Sequence, residues 1–222
     1  MFKTNKVKML STLTIFLLLF AYKTNPLEAA SAEGKTGLLA AGSEAPAFNL
    51  PDVVSGKTVS NEDLSDRKAL LVMVLCRHCP YVQHVKKGAA QLAHDYADKS
   101  VGIVGISAND ASAYADDAPE SLKEMAVEEG FSFPLLYDEN QQVAKALTAV
   151  ATPDFFVFDE NRKLVYRGQM DDSRPGNDKP VTGQDVRSAL DAVLEGRPVP
   201  RSKASFGCSV KWKPGNEPDY AR

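Results

Sequence analysis

Ala69-Leu70-Leu71-Val72-Met73-Val74-Leu75-Cys76-Arg77-His78-Cys79-Pro80-Tyr81-Val82 is the stretch that decides how this chain folds. Its first seven residues are apolar without interruption, shorter than the ten or so a helix needs, and spell a strand buried on both faces. After Pro80 the period changes. Val82, Val85, Ala89, Leu92, Ala93 and Tyr96 recur at steps of three and four, the apolar stripe of a helix. Proline suits the first helical position, where its missing N–H would have had no partner, so Cys79 is the expected N-cap. A Cys-x-x-Cys thus stands where a buried strand hands over to a helix.

A sulfur at a helix N-terminus faces unpaired N–H groups and the positive end of the helix dipole, and both favour thiolate over thiol. Such settings lower a cysteine pKa from about 8.5 into a range of roughly 3.5 to 7.5, and Arg77 and His78 add positive charge nearby. Three blander readings compete with a redox dithiol. A structural disulfide across two residues closes too small a loop to constrain the unfolded chain much. Half of a zinc site would need further ligands, and no second Cys-x-x-Cys or paired histidine motif occurs. The third reading has the pair as two separate core cysteines. A redox dithiol is favoured.

The 222 residues, 44% hydrophobic and 25% charged, suit one main globular domain with additions. Residues 1–32 read as a cleaved secretory signal: Lys3, Lys6 and Lys8 precede the apolar run Met9 to Ala21, and Ala30-Ser31-Ala32 has the small residues a signal peptidase reads. The 13-residue apolar run falls short of the roughly 20 that span a bilayer, so stable membrane insertion is not expected once the leader is removed. The protein is expected to be exported, periplasmic or secreted. Without that leader, which holds four lysines and Glu28, 22 basic and 28 acidic residues remain, a net −6. Nucleic acid is therefore not an expected partner. Three cysteines leave Cys208 over after Cys76 and Cys79 are paired, and the close pair should cycle without it.

Residues 33–42 read as a flexible linker, 43–197 as the domain and 198–222 as a C-terminal extension. Ala47 to Asp52 and Ser55 to Val59 are two short extended pieces about a glycine turn, and Val101 to Ser107 is a second apolar strand. Strand, helix, strand makes a right-handed βαβ unit with parallel strands. Asp116 to Gly130 and Gln141 to Ala149 read as helices, Phe133 to Tyr137 as an edge strand, and Phe155–Phe158 with Lys163–Arg167 as an antiparallel hairpin. Thr182 and Asp185 offer a capping box for a helix through Leu194. Asp171, Asp172, Asn177 and Asp178 read as a solvated loop, not a metal site, and His84 and His94 as solvated helix positions.

This order resembles the thioredoxin fold, an α/β architecture with a central mixed sheet flanked by helices, here with an irregular C-terminal extension. Gly42-Ser43-Glu44-Ala45-Pro46-Ala47-Phe48-Asn49-Leu50, the Cys-x-x-Cys, Thr152-Pro153-Asp154-Phe155-Phe156 and Tyr166-Arg167-Gly168 are similar to the redoxin branch, from about Gly42 onward. Asp171 to Asn177 and the tail Gly207-Cys208-Ser209-Val210-Lys211-Trp212-Lys213-Pro214-Gly215-Asn216-Glu217-Pro218 resemble a peroxiredoxin-like thioredoxin family. The resemblance implies a cis Thr152–Pro153 bond facing the cysteines, with the backbone before it free to pair with a substrate chain. It also implies that His78, between the cysteines, stabilises the thiolate. Peroxiredoxins carry a threonine three residues before the peroxidatic cysteine and an arginine on the facing strand; Cys76 and Pro153 stand in those places.

These residues imply a thiol–disulfide oxidoreductase with no bound cofactor or metal, using Cys79, Cys76, His78, Pro153 and Thr152. Its partners would be a protein or small-molecule disulfide or dithiol and a recycling redox partner. Two alternatives stay open: a thiol peroxidase with Cys79 as peroxidatic cysteine, and a binding or metal-carrier module on the same fold. Thioredoxin-type pairing would make Cys76 the attacking sulfur. The strand end at Leu75, Pro80 and the spacing from Cys79 to Thr152-Pro153 favour Cys79.

Overall fold

The computed structural model describes Met1 and residues 37–221; the expected leader, apart from Met1, lies outside the described residues. In chain order the elements are β1 (Asn49–Pro51), β2 (Thr58–Ser60), β3 (Ala69–Val74), α1 (Pro80–Asp95), β4 (Val101–Ser107), α2 (Pro119–Glu128), β5 (Leu135–Tyr137) and α3 (Gln142–Ala146). Then come β6 (Ala151–Thr152), β7 (Asp154–Phe158), β8 (Leu164–Gly168), α4 (Gln184–Leu194) and β9 (Cys208–Ser209).

The uninterrupted apolar run makes β3 the central strand of a mixed sheet ordered β5-β4-β3-β7-β8. It pairs parallel with β4 and antiparallel with β7, and β7 and β8 form the expected hairpin. Because strand side chains alternate, Leu71, Met73 and Leu75 pack against Val82, Val85 and Leu92 of α1 and Leu190 of α4. Leu70, Val72 and Val74 face the opposite way, with Phe156, Phe158, Val143 and Leu147. Both faces of β3 are covered, which is why it shows no polar alternation. Among the described residues no helix is long and apolar enough to cross a membrane.

Several local expectations shift. The helix expected over 141–149 is only α3, Gln142–Ala146, with Gln141 in a left-handed N-cap conformation (φ 62°). No capping box forms at α4, whose N-cap is Gly183. Asp185 turns away, accepting from Gln169 Nε2 at 2.8 Å and pairing with Lys203 at 2.8 Å. The stretch read as a flexible linker is attached at its described end: Leu39 N–H donates to Thr148 Oγ1 and Gly42 N–H to the Leu164 carbonyl, each at 2.8 Å. Asp171 is buried, and its carboxylate accepts from the N–H groups of Ser173, Thr182 and Gly183. That carboxylate organises the loop; it is not solvated.

The irregular tail returns across the domain and is bonded to it repeatedly. Gly168 has φ +149° and a Cβ there would stand 1.6 Å from the Lys203 carbonyl oxygen, so only glycine lets the tail pass β8 so closely. Ser205 Oγ donates to Asp154. Further on, Val210 is buried, and Lys211 N–H donates to Asn109 Oδ1 at 2.8 Å while its carbonyl accepts from Asp110 N–H and Gln141 Nε2, each at 2.9 Å. Between these anchors, β9 pairs antiparallel with β6, Ala151 against Ser209 and Thr152 against Cys208.

Candidate active site

Cys79 occupies the N-cap of α1 in extended conformation (φ −72°, ψ 124°), with Pro80 opening the helix. Cys76 lies three residues earlier, just past the end of β3, and both cysteines are completely buried. All three cysteines are free thiols. The Thr152–Pro153 peptide is cis, and Thr152 meets both sulfurs. Cys76 Sγ lies 3.2 Å from Thr152 Oγ1, and Cys79 Sγ lies 3.1 Å from the Thr152 carbonyl oxygen.

The environment drives the two thiols in opposite directions. Donation of the Cys76 thiol to the Cys79 sulfur is the largest influence raising the Cys76 pKa far above the ordinary thiol range, followed by burial and the charge of Asp117, while the Thr152 hydroxyl acts to lower it. The same donation is what chiefly lowers Cys79, to about 4. Burial opposes this, while the Cys208 thiol and the Val82 and Cys208 N–H groups support it. The Thr152 carbonyl also opposes it, because it can accept only from the protonated Cys79. The two thiols are thereby unequal, Cys79 the more acidic and Cys76 the one that keeps its proton.

A depressed folded pKa stabilises the native state fully only above the unfolded thiol value, and the contribution disappears as pH falls through the folded value. Reduced protein should therefore gain stability over a Cys79→Ser variant as pH rises from about 4 toward about 8.5. Urea unfolding at several pH values, with ultraviolet thiolate absorbance in parallel, measures this. A difference in stability that does not change with pH would show that Cys79 is not a native thiolate.

A second cluster holds the turn between the cysteines. Asp117 is fully buried, and one of its oxygens accepts from the N–H groups of Arg77 (2.6 Å) and His78 (3.1 Å). The other meets His78 Nδ1 at 2.5 Å and accepts from Asn109 Nδ2 at 2.9 Å. His78 also stacks on Tyr114, ring centroids 4.7 Å apart. Sequence reasoning missed Asp117 and Asn109, since no spacing relates them to the cysteines. Arg77 brings no charge to the sulfurs: its guanidinium reaches the Ser121 carbonyl and Glu124, both at 2.7 Å. Ligand atoms of Cys76, His78 and Asp117 lie within 4.8 Å of one another, but Nδ1 and the carboxylate are already hydrogen-bonded to each other and the Cys76 thiol is engaged with the Cys79 sulfur.

The backbone before the cis-proline is not free. Strand β9 occupies it, so the tail stands where the thioredoxin resemblance implies a substrate chain. Beside it, Phe206 packs edge-on against Tyr81 (5.3 Å) under the Arg174 guanidinium (4.7 Å). These residues share a cleft with Pro153, His84 and Met170. His84, expected to be solvated, instead meets Ser173 Oγ at 2.7 Å. His94 is exposed.

A family model described as Redoxin matches residues 40–186. A Mycobacterium tuberculosis protein provisionally named a peroxiredoxin is 29% identical over 143 residues, 59% of this chain and 85% of its own length. The crystal structure of an uncharacterized conserved protein from Geobacillus kaustophilus is 52% identical with a TM-score of 0.78, over 81% of this chain and 95% of that one. A solution structure from Neisseria meningitidis, provisionally described as a thioredoxin, is 23% identical with a TM-score of 0.53, over 69% and 91%. The fold is thioredoxin-like, as the motifs implied.

Proposed function

Since the chain belongs to the Redoxin family, we propose that it is a thiol–disulfide oxidoreductase acting through Cys79 and Cys76. The observation that carries this reading is geometric: Cys79 caps the N-terminus of α1, Cys76 lies three residues before it, and the residue preceding the cis-proline, Thr152, meets both sulfurs, a setting that favours thiolate at Cys79. The Cys79 thiolate attacks one sulfur of a substrate disulfide, and the other substrate sulfur departs with the bonding electrons and takes up a proton. Forming the mixed disulfide removes the negative charge from Cys79, so Cys76 can release its proton and attack Cys79. The substrate is then released as a dithiol, with the protein pair oxidised in its place. The reverse sequence oxidises a substrate dithiol. Equilibration against glutathione assigns the direction.

The order of charged, apolar and small residues in 1–32 supports an exported site of action. Mass spectrometry of mature protein should find Glu33 at the N-terminus, and an intact Met1 would overturn the assignment.

Peroxidase activity is the second reading, favoured by the relative provisionally named a peroxiredoxin. Against it, Cys76 stands where peroxiredoxins have their threonine, Arg77 is bonded to Glu124, and Arg167 pairs with Asp154 at 3.1 Å. Peroxide should oxidise the pair about a hundredfold more slowly than a protein disulfide at equal concentration, the scale of losing one preorganised donor. Stopped-flow kinetics with both oxidants decides between the readings; comparable rates would put peroxidase first.

A further inference from the structure

Cys208 is left out of the two-thiol cycle, yet the fold brings it to the centre of the site. Its strand adds to the domain as an antiparallel neighbour of Thr152, with Cys208 directly opposite Thr152, and the Thr152 carbonyl oxygen lies 3.1 Å from Cys79 Sγ. Cys208 packs against the apolar cluster that contains both Cys76 and Cys79. The residue before it is a glycine whose Cβ would stand 2.2 Å from the Thr152 oxygen, so the tail reaches this edge only with glycine at 207. Ser205 on one side and Val210 and Lys211 on the other anchor the strand. This is strand addition of the kind used to bind peptides, carried out by the chain's own tail with a cysteine opposite the pairing residue.

We propose that Cys208 is a third redox-active thiol of this site: the tail presents it to Cys79 in the place of a substrate sulfur, where it can resolve a mixed disulfide by forming a Cys79–Cys208 bond. The proposal rests on Cys79 being the attacking sulfur. In the step, Cys208 loses its proton and its sulfur attacks Cys79 Sγ. The bond from Cys79 to the substrate breaks, and the departing substrate thiolate takes up a proton. The substrate disulfide is the oxidant throughout. Burial and its bond to the Cys79 sulfur hold Cys208 as a thiol in the resting reduced state, with its pKa pushed up to about 11. Once Cys79 enters a mixed disulfide that partner's charge is gone, and ionisation of Cys208 becomes easier. Cys76 and Cys79 still cycle without Cys208, which offers a second route of resolution. With Cys76 removed, it should sustain resolution by itself.

The test uses the reduced Cys76→Ser chain and an aromatic disulfide, 5,5′-dithiobis(2-nitrobenzoate), whose released thiolate is coloured. The expected result is a second equivalent of thiolate after the first, no retained adduct, and a Cys79–Cys208 cross-linked peptide on mapping. Cys76→Ser with Cys208→Ser should stop at the first equivalent with the adduct held on Cys79. Adding Gly207→Val to Cys76→Ser should slow the second release by at least tenfold, since it drives the tail from Thr152. A persistent adduct on Cys79 in Cys76→Ser, with Cys208 still free, would overturn this proposal and leave Cys79 as attacker. Release without any Cys79 adduct or cross-link would overturn both readings. If Cys76→Ser does not fold, by circular dichroism, the same mapping is applied to wild-type chain oxidised briefly and quenched in acid. There a Cys79–Cys208 peptide is expected beside Cys76–Cys79, and its absence refutes the proposal.

Discussion

Replacing Cys79 with serine is expected to lower turnover of a protein disulfide by about a thousandfold or more, to the background of uncatalysed exchange, as loss of a nucleophile does elsewhere. The hydroxyl that results does not ionise near neutral pH, so neither the helix N-terminus nor the Cys76 proton has a thiolate to stabilise. Cys76→Ser should behave differently. Its Cys79 keeps the N-cap position and the Val82 amide, so the first thiol equivalent is still released at neutral pH, although more slowly because the chief influence lowering the Cys79 pKa is gone. Rapid-quench measurement of first-equivalent release separates the two. Release preserved in Cys79→Ser and lost in Cys76→Ser would assign attack to Cys76.

Asp154→Ala should cost about 3–5 kcal/mol, the usual effect of removing one partner from a buried ion pair. Asp154 is fully buried, and Arg167, whose side chain is 12% exposed, reaches it at 3.1 Å. Burial raises the Asp154 pKa despite that partner, so the pair is held in an unfavourable medium and the arginine left behind would have little water to turn to. Asp154 also accepts from Ser205 Oγ and from the Val150 N–H. Its loss should therefore free the tail around Ser205 as well as weaken the sheet. Urea unfolding gives the stability change, and limited proteolysis should cut near Ser205 before the core opens. A loss below about 1 kcal/mol would mean that the pair is solvated in the native protein.

The order of the central elements is legible in the amino-acid sequence because it is written in local patterns. Seven apolar residues ending at Leu75 make a strand covered on both faces, and the change of period after Pro80 starts α1 one residue after Cys79. The hairpin of β7 and β8 is equally plain, since two apolar runs flank a short polar turn. Thr152-Pro153 requires resemblance, because nothing in its own neighbourhood separates a cis from a trans proline. The capping box at Thr182 fails because Asp185 has better partners in Gln169 and Lys203, and the second of these belongs to the tail.

Local sequence is thus enough to set the strand, the helix and the placement of Cys76 and Cys79 between them, because periodicity and N-terminal geometry act over a few neighbouring residues. Which groups surround those sulfurs is a matter of tertiary contact. Asp117 ties down the turn from beyond β4, Arg77 is drawn to α2 and away from the site, and β9 places Cys208 against Thr152. Each of these contacts joins residues far apart in the chain. Their hydrogen bonds and close approaches exist only after the core has closed and excluded water, so no local pattern records them.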